Sequence, residues 1–216
     1  MRGRWLSEYP GFSALELEIG CGKGGFTAAL AERQPDVLLV GVERVPDALV
    51  VAMERVCALE IGNALFLCED AKLLENDFEP GEIRRIYINF CDPWPKSRDA
   101  KHRLTAPGFL RCYARLLPVG GELCFKTDNR PLFDWSLGQL RAEGWEIREC
   151  SYDLHVNGPV GIMTDYEKKF HAQGVKICRV AAVRTAATVS EGEPGRLRNA
   201  SLADAYANQS TEERET

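Results

Sequence analysis

Glu18, Glu43, Asp70 and Asp92 each close an apolar run, and Gly20, Gly22 and Gly25 spell GxGxxG directly after the first of them. A glycine turn between a strand and a helix leaves backbone amides and a helix N-terminus open to a ligand, without side-chain obstruction. Lys23 is followed by Gly24 rather than by Ser or Thr, so the turn is not a Walker loop. Glu43 stands where nucleotide-binding folds place an acid that accepts hydrogen bonds from ribose hydroxyls, an arrangement that serves NAD and S-adenosylmethionine alike. Ligand charge separates the two. A pyrophosphate calls for bare amides, whereas a sulfonium and an ammonium call for carboxylates. Each acid alone fits a helix cap or a solvated strand end as well as a ligand contact, and Asp70 before Ala71 reads equally as an N-cap. Four of them at the carboxyl ends of successive strands, with Glu69 beside Asp70, favour a cationic nucleoside.

Short apolar runs at 14–20, 37–43 and 64–70 alternate with helical patterns at 25–33 and 46–60. This alternation predicts a parallel sheet with crossover helices. The apolar run 83–90 precedes a helix with Phe109, Leu110, Tyr113, Leu116 and Leu117 on one face, then a strand at 122–128. A helix over 131–143 and two further strands, 145–154 and 175–184, follow, the last pair separated by a short helix that Gly174 ends. Seven strands with a hairpin-like final pair predict a Rossmann-like class I S-adenosylmethionine-dependent methyltransferase fold. It is α/β, with a seven-stranded, mostly parallel sheet covered by helices on both faces. Residues 1–185 form the expected domain, and the polar stretch 186–216 reads as a disordered tail.

The chain has 216 residues and is 45% hydrophobic, enough for one sizeable core. Its net charge of -5 excludes a molecule basic all over, so any nucleic-acid contact must be a local patch. The tail carries six acids against three arginines, which makes a basic face on the remainder easier to accommodate. Eight cysteines are scattered singly, without the close pairs of zinc sites. They read as small buried hydrophobes in a reducing cytoplasm, with no metal expected. No run approaches the roughly 20 apolar residues needed to span a bilayer, and residues 1–12 lack the apolar stretch of a secretory signal. A soluble, cytoplasmic protein without membrane contact is expected.

In FCDPWPKSRDAKHRLT, residues 90–105, Pro93 biases Asp92 and Pro95 biases Trp94 towards an extended backbone. The turn thereby holds a carboxylate and an indole with little entropy left to lose, although prolines and an aromatic also simply close strands. An acid-Pro-Pro-aromatic turn at this point of the fold is where amino- and ring-nitrogen methyltransferases grip the target base; here the second proline is displaced by one.

The segments EIGCGKGGF, GVER, EDA, YINFCDPWPKSRDAKHRLT, FKTDN and GIMTDYEKKF occur in that order. Together, across roughly residues 2–184, they resemble the bacterial tRNA (guanine-N(7)-)-methyltransferase family. The resemblance implies methyl transfer from S-adenosylmethionine to N7 of a guanosine in the variable loop of tRNA. It implies donor contacts from Glu18, Glu43, Asp70 and Asp92, joined by the Gly20 and Gly22 turn, with Asp92 also catalytic. It further implies substrate contacts from Lys96, Asp128, Thr164, Asp165, Tyr166 and Glu167. The family's RNA-contacting segment usually runs KKRHxKRR. Here Ser97, Asp99 and His102 depart from that pattern, leaving Lys96, Arg98, Lys101 and Arg103 as the cations.

Guanine N7 has a free lone pair, so transfer is a direct displacement controlled by placement and electrostatics. Asp92 is expected to orient the base and stabilise its developing charge, while Asp128 or Glu167 accepts from the N1 and N2 hydrogens of guanine. Trp94 either stacks on the splayed base or buttresses the turn, the second reading being favoured. Rival readings are another S-adenosylmethionine-dependent RNA methyltransferase, an NAD-dependent oxidoreductase, and a non-catalytic RNA-binding module. The sequence accommodates a monomer or a homodimer.

Overall fold

The computed structural model describes residues 1–190. After a one-turn helix α1 (Trp5–Glu8), strands and helices alternate: β1 (Ala14–Ile19), α2 (Gly25–Arg33), β2 (Val37–Glu43), α3 (Pro46–Ala58), β3 (Ala64–Cys68) and the short α4 (Leu74–Asp77). There follow β4 (Arg85–Asn89), α5 (Pro107–Leu116), β5 (Glu122–Thr127), α6 (Arg130–Ala142), β6 (Glu146–Ser151), α7 (Asp165–Ala172) and β7 (Cys178–Val183). The seven strands lie in the order β3-β2-β1-β4-β5-β7-β6. β7 alone runs against its neighbours, pairing antiparallel with β5 and with β6, as the hairpin-like final pair predicts.

Strand order reverses between β1 and β4, both of which pair in parallel, with β2 and β5 beyond them. Loops leaving β1 and β4 therefore part in opposite directions and open a crevice at the carboxyl edge of the sheet. The core divides on the two faces. Leu15, Leu17, Ile19, Ile86, Ile88 and Phe125 pack with α5 and α6 residues such as Tyr113 and Phe133. Phe26, Leu30, Leu39, Tyr87 and Cys124 form the second layer under α2.

The alternation in ALELEI puts Glu16 and Glu18 on the second face, both buried. Each is satisfied rather than solvated. Glu16 accepts from Arg84 and from the Tyr87 hydroxyl at 2.9 Å. Buried carboxylates persist only with such partners.

Thr188 is buried and donates to the Gly144 carbonyl, and the Val189 amide donates to the Glu143 carbonyl, so the chain folds back on the end of α6 beyond residue 185. The rest of the expected tail, from 191, lies outside the described residues.

Candidate active site

The carboxyl ends of β1, β2, β3 and β4 surround a cavity of about 410 Å³ lined by Gly20, Glu43, Arg44, Glu69, Asp70, Asn89, Phe90, Asp92, Trp94 and His102, among others. At one end the backbone does the positioning. Gly20, Gly22 and Gly24 all have positive φ, which only glycine adopts without strain. At Gly24, which precedes α2, a Cβ would also come within 2.7 Å of the Ala52 side chain. The Gly20 and Cys21 amides donate to the Val42 carbonyl, which ties the turn to β2, and the Gly22 N–H donates to Glu43 Oε2 at 3.2 Å. Glu43 Oε1 accepts from the Arg44 and Val45 amides at 2.9 and 3.0 Å. The amide that could serve a pyrophosphate is thus engaged by a carboxylate, which disfavours an NAD site and suits a cationic nucleoside. Asp70 realises both of its readings. It lines the cavity, and it caps a short 3-10 turn (Ala71–Leu73) by accepting from the Lys72 amide.

Two of the expected donor contacts do not reach the cavity surface. Glu18 is 4% exposed, with Thr27 of α2 donating to Oε2 and Asn89 Nδ2 donating to Oε1 at 3.0 Å. Burial pushes its carboxyl up to about 7, against the lowering effects of these hydrogen bonds and of Lys126. The strand's alternation turns Glu18 away from the crevice surface, and in this structure it ties α2 to the end of β4. Gly22 likewise acts through its bond to Glu43 rather than as cavity lining.

Side chains and prolines build the other end. Phe90 leaves β4 with φ 54, and Trp94 sits at φ 42. Pro95 predicts an extended Trp94; the turn instead takes a left-handed residue there, which lets the chain reverse between Pro93 and Pro95. Asp92 is held out on this turn, its side chain 73% exposed and 4.0 Å from Arg44. Trp94 lines the cavity and packs on His102 at 5.2 Å. Asp128, just past β5, accepts from the Tyr166 hydroxyl at 3.4 Å, and the Tyr166 ring lies 5.0 Å from Phe90 and 4.1 Å from Phe170. α7 therefore brings Tyr166 to the ends of β4 and β5.

The other residues of that stretch serve its fold. Thr164 and Glu167 form a capping box at the start of α7. Glu167 is fully buried; it takes Lys126 Nζ at 2.5 Å and the Thr164 amide on Oε2, and pairs with His155 Nε2 at 2.8 Å on Oε1. Burial lowers the Lys126 ammonium from its usual range while Glu167 and Glu18 oppose that. Of the two acids expected at a guanine edge, Asp128 is the accessible one. Asp165 pairs with Arg55 of α3 at 2.9 Å and lies where a Cβ on Gly25 would meet it, so it closes α7 over the glycine turn.

Lys96, Arg98 and Lys101 are exposed on or beside a second 3-10 turn (Ser97–His102), with Arg98 3.9 Å from the Asp99 carboxylate. Arg103 faces inward, onto the carbonyls of Pro93 and Trp94. Sequence reasoning missed Asn89, Phe90 and His102 as site residues, and the Lys126–Glu167–His155 network. The network had one readable signal, the capping-box spacing of TDYE. Asn89 and Phe90 had none, because an amide or aromatic ending a strand reads as ordinary edge composition.

A family model described as "Putative methyltransferase" matches residues 13–180. A protein named tRNA (guanine-N(7)-)-methyltransferase from Listeria innocua serovar 6a is 44% identical over 182 residues, covering 84% of this chain and 85% of that one. Another of that name, from an Exiguobacterium species, is 42% identical, covering 85% and 86%. Among solved structures, the 16S rRNA methyltransferase KamB superposes with a TM-score of 0.62 at 14% identity, covering 86% of this chain and 95% of that one. The aminoglycoside resistance methyltransferase NpmB1 gives 0.61 at 19%, with the same coverage. These likenesses show the class I methyltransferase fold.

Proposed function

The chain belongs to the tRNA (guanine-N(7)-)-methyltransferase family, and on that premise we propose that it transfers a methyl group from S-adenosylmethionine to N7 of a guanosine in the variable loop of tRNA. The observation that carries this reading is the meeting of an acid-lined nucleoside cavity with a second recognition surface at its rim. Phe90 borders both, lining the cavity with Asp92 and meeting Tyr166, whose hydroxyl reaches Asp128.

S-adenosylmethionine supplies an activated methyl on a positively charged sulfur. The cavity suits it by charge, since Glu43, Glu69, Asp70 and Asp92 line it against the cations Arg44 and Lys72. Glu43, oriented by three backbone amides, accepts from the ribose hydroxyls. Guanine N7 needs no base to expose its lone pair, so the protein's task is alignment and charge stabilisation. As the methyl arrives, positive charge appears on the purine, and the Asp92 carboxylate stabilises it. Asp128, steadied by the Tyr166 hydroxyl, accepts from the N1 and N2 hydrogens of guanine, an edge that adenine does not present. Tyr166 and Phe90 offer the flanking aromatic surface.

A guanosine held in tertiary pairing must leave its stack before it enters, and Lys96, Arg98 and Lys101 hold the phosphate backbone during that step. A tRNA substrate places the reaction in the cytoplasm, and no helix among the described residues is long and apolar enough to cross a membrane. The test is labelled methyl transfer to an unmodified tRNA transcript and to one whose variable-loop guanosines are replaced by adenosine. Label should enter only the first; equal labelling of both overturns the assignment.

A further inference from the structure

Arg103 differs from the other cations of its segment. Its Nε donates to the Pro93 carbonyl at 3.1 Å and to the Trp94 carbonyl at 3.2 Å, and its Nη2 donates to the Trp94 carbonyl at 2.9 Å. The guanidinium carbon lies 4.4 Å from the centroid of the Trp135 ring on α6, within range of a cation–π contact. Both faces of the group's chemistry, its donor fork and its flat surface, are engaged inside the protein.

What it grips is the strained part of the site. A bulky residue at positive φ is strained, and Trp94 is such a residue, two positions after Asp92. A left-handed Trp94 persists only if its surroundings hold the flanking carbonyls. Arg103 does this from the end of the same 3-10 turn, itself anchored to α6 by the buried Thr105–Ser136 hydroxyl pair at 2.6 Å.

We propose that Arg103 is a positioning residue for Asp92, clamping the DPWP turn against Trp135, and is not one of the cations that hold the RNA backbone. The inference rests on the methyl-transfer reading and reassigns one residue within it. Lysine keeps the charge but has neither the planar fork nor the stacking surface. Arg103→Lys therefore separates the two roles.

The experiment measures kcat and KM for tRNA methylation, S-adenosylhomocysteine affinity, and the salt dependence of tRNA binding, for the full-length wild type, Arg103→Lys and the Arg98→Ala/Lys101→Ala double variant. Arg103→Lys should lose at least about tenfold in kcat and bind S-adenosylhomocysteine several-fold more weakly. Its tRNA affinity and salt slope should stay at wild-type values, while the double variant flattens the slope. Wild-type kcat in Arg103→Lys, or a reduced salt slope in that variant, overturns the clamp. Should Arg103→Lys not fold, Trp135→Leu carries the same test: a lower kcat with intact tRNA binding supports the clamp, and an unchanged kcat overturns it. A wild type that methylates no tRNA defeats the parent reading instead, so the two failures are distinct.

Discussion

Glu43 and Asp92 line one cavity, yet the chain holds them by different means. Glu43 sits in a cradle of amides from the glycine turn and from just past its own strand end, while the buried Glu18 holds Thr27 of α2 nearby. Asp92 stands exposed on a proline-bounded turn that depends on Arg103 and on a left-handed Trp94. Backbone cradles tolerate side-chain change around them, because their donors are fixed by the fold. A turn held by one guanidinium does not. The donor end of the site is therefore set by backbone, and the acceptor end by side chains on the turn that leads into Ser97, Asp99 and His102.

The sharpest way to break the comparison is Asp92→Ala. Loss of a group that acts on charge developing in the transition state should cost on the order of 10²–10³ in kcat or more. The variable-loop tRNA should still bind, as a filter-binding assay will show; a variant retaining a tenth of the wild-type rate removes Asp92 from the chemistry.

Next in size is Glu18, which titrates at the donor end. Its carboxyl is raised to about 7 from an ordinary value near 4.5, so between those values the folded state holds more proton than the unfolded state. Its contribution to stability is greatest below the lower value, falls as pH rises towards 7, and is flat above. Glu18→Gln, which mimics the neutral form, should lack that slope. The wild type should lose about 3 kcal/mol relative to the variant across the window, measured by urea unfolding at a series of pH values; parallel curves contradict the buried placement.

Glu43→Ala removes charge-assisted hydrogen bonds to the donor and should weaken S-adenosylhomocysteine binding by about 10- to 100-fold, read by calorimetry or thermal shift. Stabilisation of the wild type by NAD, and not by S-adenosylhomocysteine, would reverse the donor assignment altogether. The smallest effect belongs to Arg98→Ala/Lys101→Ala, a several-fold loss of tRNA affinity at moderate salt with a log–log slope reduced by about 1.4, at roughly 0.7 per lost single-strand phosphate contact. An unchanged slope takes the RNA backbone away from these residues.

Sheet, crossovers and the carboxyl-edge site were legible because each rests on a local rule: period-2 apolar runs, a glycine turn, acids at strand ends. The direction in which individual side chains point has a different cause. Glu18 was legible as an acid before the glycines, but the face it occupies follows from the register of LELE beneath α2 and beside β4, where Thr27 and Asn89 respectively await it. Trp94 obeys the sterics of the whole turn over the preference of a residue before proline. Glu167 and Arg103 carry the right charges for a substrate contact; partners distant in sequence, His155 and Lys126 for one, Trp135 for the other, decide that both are directed inward. Residue type and spacing locate a site, whereas which charge faces the ligand is settled by tertiary partners.

The central claim is methylation of guanosine at N7 in tRNA, and nucleoside mass spectrometry tests it most directly. Unmodified tRNA incubated with the protein and isotopically labelled S-adenosylmethionine, then digested to nucleosides, should yield labelled 7-methylguanosine. Label on any other nucleoside, or at any other atom of guanosine, contradicts the account.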